Sequence, residues 1–423
     1  MRVDHLNLRN FKRFSEAEFK FRPGFNLLIG ENGSGKTTIL DALAVAIGSW
    51  FLGIRGYDTK HIESDEVRAM LTTFGDTTKI ERQFPALVAC DGSVLGQHLS
   101  WARSLDGAAG RTTQRRATNI KKLAAETERR VRAGEAITLP VISYYGTKRL
   151  WVQPKDMYGG EDLRPGEFQE RLQGYYNSVD QRINVAGVLR WLRFEKFVAL
   201  EEGKERAAYS AVKAAIVQCV EGCIGADFNV KEGTLLVEIK GRGKLPFHML
   251  SDGQRTMLAL VADIAFKATQ LNPHLSERAP AETPGTVLID ELDLHLHPRW
   301  QRHVVADLRR TFPAIQFFAT THSPQIIGET PHEEIFLLKA NGTWVNPSQS
   351  VGLSANQVLR DIMGTDYLNP GVAEEFDAIF RKVESGEFGG ARQMIADLRS
   401  RRGDFPDLVE AATYMDRVER VGV

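Results

Sequence analysis

The segment Gly30-Glu-Asn-Gly-Ser-Gly-Lys-Thr37 constrains the fold more than any other part of the chain. It matches the pattern G-x-x-x-x-G-K-[ST] and lies between the short apolar stretch 25–29 and the stretch 36–47, whose apolar spacing predicts a helix. Glycines in such a loop let backbone N–H groups close around phosphate oxygens, and the helix N-terminus adds a positive partial charge. The sequence therefore predicts a phosphate-binding loop (P-loop). Lys36 would neutralise the β- and γ-phosphates, and Thr37 would ligate Mg²⁺.

A second feature is the apolar stretch 286–289, which ends in the acidic pair Asp290-Glu291. Magnesium prefers few protein oxygens and keeps most of its waters, so a single strand-end carboxylate, Asp290, suits it. Glu291 would then act as the general base or orient the attacking water. Acidic pairs at strand ends are common, and the assignment depends on the P-loop upstream.

Two further segments have a structural and a functional interpretation, and both stay open. Ser251 and Gln254 open a predicted helix, 251–268, with the spacing of an S-x-x-Q capping box, yet a helix N-terminus also suits an anion. His322 follows the predicted strand 315–319. A histidine suits contact with a terminal phosphate near neutral pH, whereas a lone histidine is commonly an ordinary surface or core residue.

Composition limits the class of protein but not its chemistry. The 54 basic side chains balance the 54 acidic ones, so no global field favours nucleic acid or a membrane. No apolar run approaches the roughly 20 residues of a membrane span. Residues 1–5 lack the apolar core of a signal peptide, and 3 cysteines disfavour a disulfide framework. We expect a cytoplasmic protein without a membrane contact.

Alternating strand and helix patterns predict an α/β fold. The spacing also predicts several individual elements, which the structure tests below. They are a strand over 3–8, a hairpin turn at Asp91-Gly92, helix over 183–222, a hairpin over 227–248, a helix over 299–311 opened by Pro298, a hairpin over 334–345 turning at Asn341-Gly342, and helices over 352–423.

In this order, the four motifs resemble the ATP-binding cassette (ABC) ATPases, in the branch that contains SMC, Rad50 and RecF-like proteins. Residues 250–254 are similar to the LSGGQ signature, with Asp252 in place of its first glycine. Residues 290–291 resemble the Walker B pair, 291–293 the D-loop, and His322 the switch histidine. The opening segment 8–14 resembles the N-F-[KR] segment of the branch, which implies that Lys12 and Arg13 approach the nucleotide phosphates.

The resemblance implies ATP and Mg²⁺ as cofactors, with Lys36, Glu291 and His322 in catalysis and Thr37 and Asp290 at the metal. It also implies that ATP lies between the P-loop of one copy and the signature of another, in a homodimer or higher oligomer. The nucleotide contacts that it assigns are Lys12, Arg13, Asn32, Gly33, Ser34, Gly35, Lys36, Thr37, Thr38, Ser251, Gly253 and Gln254.

The sequence departs from the family at three points. Asp252 places a carboxylate in the signature, where we expect its side chain to point away from the nucleotide. The glutamine of the Q-loop is not clear, and Gln153 is the nearest candidate. No long coiled coil and no C-x-x-C hook lie between the P-loop and the signature, so the chain is not a long-armed Rad50.

Segments 139–151, 271–273 and 289–300 resemble a bacterial group, the Septu-type, PtuA-like ATPases, which are related to ATPases paired with some retrons. The resemblance implies an ATPase that acts with a separate HNH-type, PtuB-like nuclease subunit in anti-phage defence. A RecF- or SMC-like ATPase that binds DNA directly in repair or recombination is the alternative. A transporter ATPase and a non-hydrolysing ATP-dependent clamp are further rivals.

The expected architecture is a P-loop ABC-type ATPase head with a helical insertion and a helical C-terminal extension. The expected divisions are an N-terminal lobe at 1–101, a basic and helical insertion at 102–225 that includes a head strand at 139–147, a C-terminal lobe at 226–345, and a helical extension at 346–423. The extension is too short and too poor in clustered acids for a TOPRIM nuclease domain. It is our candidate docking surface for a nuclease subunit.

Local charge and two clusters of potential ligands complete the candidates. Residues 111–133 carry a net charge of +6, which predicts either a DNA contact or a solvated helix face. His295, His297 and His303 could bind a transition metal, but we favour a role in shaping the D-loop. Cys219 and Cys223 lie in a helical pattern and are expected in the core.

Overall fold

The computed structural model describes residues 1–149, 168–365 and 370–421. The chain divides into two compact units, Met1–Leu353 and Ser354–Val423. The described strands are β1 (Arg2–Phe11), β2 (Phe14–Lys20), β3 (Phe25–Gly30), β4 (Ala69–Phe74), β5 (Thr77–Arg82), β6 (Ala86–Val94), β7 (Gln97–Leu105), β8 (Val141–Tyr145), β9 (Cys223–Asn229), β10 (Thr234–Ile239), β11 (Gly243–Pro246), β12 (Gly285–Ile289), β13 (Ile315–Thr320), β14 (Ile335–Leu338) and β15 (Trp344–Val345). The described α-helices are α1 (Lys36–Gly48), α2 (Thr118–Arg132), α3 (Val185–Glu202), α4 (Ala207–Cys219), α5 (Asp252–Leu271), α6 (Ala279–Glu282), α7 (Pro298–Gln301), α8 (Val304–Thr311), α9 (Pro324–Gly328), α10 (Ala355–Gln357), α11 (Pro370–Glu384), α12 (Phe388–Arg402) and α13 (Pro406–Val421).

A six-stranded sheet in the order β15-β14-β3-β13-β12-β8 forms the centre of the first unit. All its neighbouring strands are parallel except the β14–β15 hairpin. The carboxyl ends of β3, β8, β12 and β13 therefore meet at one edge, which is where ligands bind in open α/β sheets. The alternation of strand and helix in the sequence predicted this fold class, and the prediction is confirmed.

Helix α1 packs between the central sheet and a second, antiparallel sheet in the order β2-β1-β6-β7. The apolar face predicted from its spacing is buried, but so are Ala42, Val45 and Ala46 on the remaining surface. A helix covered from two sides has no solvated face, so its sequence is apolar nearly all round.

The predicted hairpin turn at Asp91-Gly92 is wrong. Both residues lie inside β6, and the turn that joins β6 to β7 is formed by Leu95 and Gly96, which have φ values of 50° and 78°. Gly92 instead serves a close approach of two strands, since a Cβ at this position would lie 2.1 Å from the carbonyl oxygen of Arg2. A glycine required by packing cannot be distinguished locally from a turn glycine.

Other predicted helices are present but broken. The stretch predicted as one helix over 183–222 contains α3 and α4, and the stretch over 299–311 contains α7 and α8, with Pro298 in the first turn of α7 as predicted. Cys219 ends α4 and Cys223 begins β9, so the helical pattern does not extend to Cys223, although both thiols are buried as expected. The hairpin over 334–345 is confirmed, with the N–H of Gly342 donating to the carbonyl of Lys339.

Two small sheets complete the first unit. Strands β9, β10 and β11 form an antiparallel sheet beside α3 and α4, and β4 pairs with β5 in an exposed ribbon. None of the helices in the described ranges is both long and apolar enough to cross a bilayer. The division of this unit into lobes and an insertion stays a prediction.

The second unit consists of helices with a core of their own, as the sequence predicted. Phe380 of α11 is 36% exposed, and its ring contacts those of Phe376 and Tyr414. The core residues are Val372, Phe376, Ile379, Val383, Ala391, Ile395, Leu398, Leu408, Ala411 and Met415, with Met394 packed against them.

Candidate nucleotide site

The P-loop connects β3 to α1 and is built on three glycines. Gly30, Gly33 and Gly35 have φ values of 141°, 76° and 105°, which residues with a side chain rarely adopt. At Gly30 a Cβ would lie 2.5 Å from the carbonyl oxygen of Leu338, and at Gly35 it would lie 2.7 Å from the ring of Phe14. The loop conformation therefore requires glycine both for its backbone angles and for its close neighbours.

The loop presents donors that suit a phosphate. Gly35 precedes α1 without a side-chain cap, and the first amide of the helix bonded within it is that of Ile39, which donates to Gly35 at 3.0 Å. The N–H groups of Lys36, Thr37 and Thr38 are the unpaired amides of a helix start. The hydroxyl of Ser34 is buried and has no partner among the described residues. These groups fit an anion at a helix N-terminus.

Lys36 lies under the loop. Its ammonium donates to the carbonyls of Gly30 at 2.9 Å and Glu31 at 3.0 Å. Burial lowers the pKa of Lys36 from its usual value, and the carboxylates of Asp290 and Glu291 oppose this shift. The lysine is therefore a partly desolvated donor on the acidic side of the site, where a bound phosphate would strengthen its charged form.

Asp290 brings the ends of three elements together. Its carboxylate accepts from the hydroxyl of Thr37 at 3.1 Å and from the hydroxyl of Thr320 at 2.6 Å, and its N–H donates to the carbonyl of Tyr145 at 2.8 Å. Two neighbouring ligands of an octahedral Mg²⁺ lie about 3 Å apart, since each bond is about 2.1 Å. The hydroxyl of Thr37 and the carboxylate of Asp290 fit such a pair and would hold the metal.

Glu291 has an unusual backbone conformation for a side-chain-bearing residue, with a φ of 49°. Its N–H donates to the Thr320 hydroxyl at 2.7 Å, and its carbonyl accepts from Arg149 at 2.8 Å and from the N–H of Leu294 at 2.9 Å. These three bonds hold both peptide groups of Glu291. A non-glycine residue in the left-handed region is a feature that clusters at functional sites.

His322 follows β13 at the same edge of the sheet. Burial and the nearby charge of Lys36 lower the pKa of His322, while the carboxylates of Asp293, Glu291 and Asp290 oppose this shift. These effects favour the neutral imidazole, which has both a donor and an acceptor nitrogen. The preceding Thr321 donates to Asp293 at 2.6 Å, which ties the histidine segment to the D-loop.

Lys12 and Arg13 occupy the turn between β1 and β2, beside the P-loop helix. The ammonium of Lys12 is paired with Asp41 of α1 and lies 3.5 Å from Glu66, and its pKa is raised because these two carboxylates outweigh the large opposing effect of burial. Arg13 lies against Gly35, with its Cδ 2.8 Å from where a Cβ would be, and donates to the carbonyl of Ala340. Arg13 therefore lies next to the loop, whereas Lys12 is paired with carboxylates beside α1, and the contact of either side chain with phosphate stays a prediction.

The signature segment starts α5 with the predicted capping box. The amide of Gln254 donates to the hydroxyl of Ser251 at 3.3 Å, and the side chain of Gln254 accepts from the amide of Ser251 at 3.1 Å. Asp252 pairs with Arg255 on the solvent side, and its side chain is 65% exposed. A Cβ at Gly253 would lie 2.4 Å from the carbonyl oxygen of His295, so this glycine permits the D-loop to pack on the signature.

The histidines of the D-loop region have structural contacts. His295 has a φ of 64°, and its carbonyl faces Gly253. His297 caps α7, since its Nδ1 accepts from the amide of Arg299 at 3.2 Å. Across 1–149, 168–365 and 370–421, the structure holds no group of three or more His, Cys, Asp or Glu side chains arranged for a metal ion.

The structure thus brings Lys36, Thr37, Asp290, Glu291 and His322 to one sheet edge. Gln153, the Q-loop candidate, lies outside the described residues. Sequence reasoning missed two groups at this edge, the hydroxyl of Thr320 and the guanidinium of Arg149. Each follows or ends a strand whose carboxyl end points at the site, and that position is the signal that could have identified them.

Comparison with known proteins agrees with this geometry. Residues 5–221, more than half of the chain, match the family described as "AAA domain". The "Septu protein PtuA" of Bacillus thuringiensis is 28% identical over 86% of this chain and 84% of its own. The "Retron Ec83 probable ATPase" of Escherichia coli is 25% identical over 86% of this chain and 76% of its own. The "Retron Vc95 probable ATPase" of Vibrio cholerae is 24% identical over 91% and 83%.

The family match begins at β1 and includes the P-loop, while the relatives extend over both units of the chain. The P-loop, the Walker B pair and the switch histidine converge at one sheet edge, as an ATPase site requires. The chain belongs to the AAA domain family and is an ATPase, and over most of its length it is similar to a Septu protein and to retron ATPases.

Proposed function

We propose that this ATPase hydrolyses ATP as a head-to-tail homodimer and controls a separate HNH-type nuclease subunit in bacterial anti-phage defence, in the cytoplasm. The observation that supports the hydrolytic part is the set of hydrogen bonds that joins Thr37, Asp290 and Thr320, because it brings a hydroxyl and a carboxylate suited to Mg²⁺ together beside the P-loop. The defence role is supported by the similarity to a Septu protein and to retron ATPases.

The residues of the site would have the following roles in ATP hydrolysis. The P-loop amides and Lys36 bind and orient the phosphates, and Thr37 and Asp290 hold Mg²⁺, which supplies charge stabilisation when bound. Glu291 positions the attacking water and accepts its proton. Neutral His322 donates a hydrogen bond at the terminal phosphate.

The dimer follows from the distribution of motifs. One chain has one P-loop and one signature, so two complete sites need two chains related by twofold symmetry. Ser251 and Asp252 are exposed in the single chain, which leaves the start of α5 accessible to another copy. Asp252 is paired with Arg255 of the same helix, which supports the expectation that its carboxylate points away from the nucleotide. ATP would favour the engaged dimer because only that state contacts it from both sides.

Glu291→Gln tests the hydrolytic proposal. The amide keeps the size of the side chain but cannot accept the proton, so turnover should fall by about 100-fold or more while ATP stays bound. Turnover is measured as released phosphate, and the dimer as mass in solution with and without ATP. Wild-type turnover in this variant, or a monomer in the presence of ATP, would contradict the proposal.

The second unit is the proposed docking surface for the nuclease subunit. It folds around its own core and still exposes Val409 and Tyr414 on α13, at 48% and 45%. Co-purification of the proposed HNH-type nuclease subunit should be lost when both become Ser. Glu410→Gln and Thr413→Ala, on the same helix, serve as controls. Retained co-purification in the double variant would exclude this surface.

A direct contact with DNA is the second candidate function. The ion pairs within 111–133 indicate which of its arginines are available for such a contact. At the C-terminal end of 111–133, Arg129, Arg130 and Arg132 are paired with Glu126, Glu135 and Glu128. Near its start, Arg115 and Arg116 are exposed, have no ion-pair partner among the described residues, and line a cleft of about 250 Å³ with Arg9. Unpaired arginines are the ones available to phosphates.

Two matched variants test the DNA contact. Arg115→Gln with Arg116→Gln and Arg129→Gln with Arg130→Gln each remove two positive charges. If the first pair contacts phosphates, only its loss should weaken duplex binding and reduce the slope of log K against log salt by about 2. No effect of the first variant would leave 111–133 as a solvated helix face, and equal weakening by the two variants would exclude a contact confined to Arg115 and Arg116.

A further inference from the structure

Arg149 lies three residues after Gly146, where the chain leaves β8, and points into the protein beneath the Walker B residues. Arg149 is among the most buried cationic residues in the described part of the chain, with an exposure of 2%. One guanidinium nitrogen donates to the carbonyl of Asp290 at 2.6 Å and to that of Gly146 at 3.3 Å, and the other donates to the carbonyl of Glu291 at 2.8 Å. A single side chain therefore holds two successive carbonyls of the acidic pair.

These bonds act on the residue with the strained backbone. Because Glu291 has a φ of 49°, its carbonyl is turned away from the direction that an extended strand would give it. Arg149 supplies one of the two donors that receive this carbonyl, and the amide of Leu294 supplies the other. Strained conformations persist only where surrounding contacts fix them.

The charge of Arg149 also matches its surroundings. Burial lowers the pKa of Arg149 to about 10, and the carboxylates of Asp290, Asp293 and Glu291 oppose that shift. The guanidinium therefore remains cationic at neutral pH. It is directed at backbone oxygens, so it offsets part of the acidic charge without blocking the carboxylates from a metal or a water.

We propose that Arg149 is a positioning residue for hydrolysis, which holds the carbonyls of Asp290 and Glu291 and thereby keeps the Glu291 carboxylate aimed at the attacking water. The inference rests on the proposed role of Glu291 in turnover. The guanidinium of Arg149 donates to backbone carbonyls, so its effect passes through the backbone of Asp290 and Glu291.

Arg149→Met removes all three hydrogen bonds of the guanidinium, to the carbonyls of Gly146, Asp290 and Glu291, and keeps the length of the apolar stem. We expect kcat to fall by about 10- to 100-fold, as is usual when a supporting group of a site is removed. The affinity for ATP should change by no more than about threefold, since the P-loop is untouched. Arg103→Met is the matched control, because Arg103 is 0% exposed and donates to the backbone at Thr113 outside the site. It should keep the kcat of the folded fraction.

A double-mutant cycle separates positioning from general support. If Arg149 acts through Glu291, adding Arg149→Met to Glu291→Gln should cause almost no further loss of turnover. An equal loss in both backgrounds would overturn the proposal. So would a kcat for Arg149→Met within about twofold of the wild type.

Arg149→Lys keeps the test decisive if the methionine variant does not fold. A lysine can reach only one of the two carbonyls in the fork geometry of an arginine, so folded Arg149→Lys should still show reduced kcat. Wild-type kcat in this variant would overturn the proposal. If Glu291→Gln itself leaves turnover unchanged, the proposed function fails; if Glu291→Gln abolishes turnover and Arg149→Lys does not affect it, this inference alone fails.

Discussion

The hydroxyl of Thr320 links the two acidic residues of the site, Asp290 and Glu291. It donates to the Asp290 carboxylate at 2.6 Å and accepts from the Glu291 amide at 2.7 Å. The bond between Thr320 and Asp290 is shielded from solvent, because the two residues are only 1% and 5% exposed. Thr320→Val keeps the shape of the side chain and removes both bonds.

The expected cost follows from the two bonds. A hydrogen bond to a charged group contributes about 1.5–3 kcal/mol and one between neutral groups about 0.5–1.5 kcal/mol. The valine variant should therefore lose about 2–4 kcal/mol of unfolding free energy in urea denaturation. Turnover should fall by about 10- to 100-fold because Asp290 and Glu291 each lose an anchor.

Thr320→Ser is the control for this prediction, since it keeps the hydroxyl and loses only a methyl group. It should retain most of the turnover. The reasoning is refuted if the valine variant matches the wild type in both stability and turnover, or if the serine variant loses as much turnover as the valine variant.

Three further predictions concern single charges. Lys36→Ala should abolish ATP binding measured by calorimetry, and retained tight binding would count against the P-loop assignment. Lys267 and Asp263 form a buried ion pair at 2.9 Å, so Lys267→Met should lower the free energy of unfolding in urea by about 3–5 kcal/mol. Adding Asp263→Leu should recover much of this loss, because it removes the unpaired carboxylate. No recovery would show that the unpaired carboxylate is not the cause of the loss. Because burial lowers the pKa of His322 below its unfolded value near 6.5, the unfolded state binds more protons there. Stability should therefore rise with pH from the folded pKa of His322 up to about 6.5, and His322→Gln should lack this rise if it originates at His322.

The parts of the site that the sequence predicted are those whose chemistry is local. The P-loop and the capping box of Ser251 each depend on residues a few positions apart, and the structure contains both the positive φ values of the loop glycines and the capping box. Parallel pairing then aligns the carboxyl ends of the strands, which brings His322 to the same edge.

The parts that could not be predicted depend on distant neighbours. Arg149 and Glu291 are 142 positions apart. The position of Arg149 shortly after β8 indicates only that it lies near this edge of the sheet, and its bonds to the Walker B backbone are established only by the fold. The two-sided burial of α1 and the close approach at Gly92 likewise arise from packing between sheets. Lys12 was assigned to phosphate from resemblance, whereas the pair with Asp41 became visible only in the fold.

The central claim is that two chains share each ATP site, and mixing two defective chains tests it most directly. Lys36→Ala lacks a P-loop lysine, and Ser251→Arg blocks the signature, so neither should turn over ATP alone. A mixed dimer of the two contains one site with an intact P-loop and an intact signature. An equimolar mixture should therefore recover about one quarter of wild-type turnover, because about half of the dimers are mixed and each has one of two sites. Full activity of Ser251→Arg alone, or no recovery in a mixture shown to form mixed dimers, would contradict the shared site.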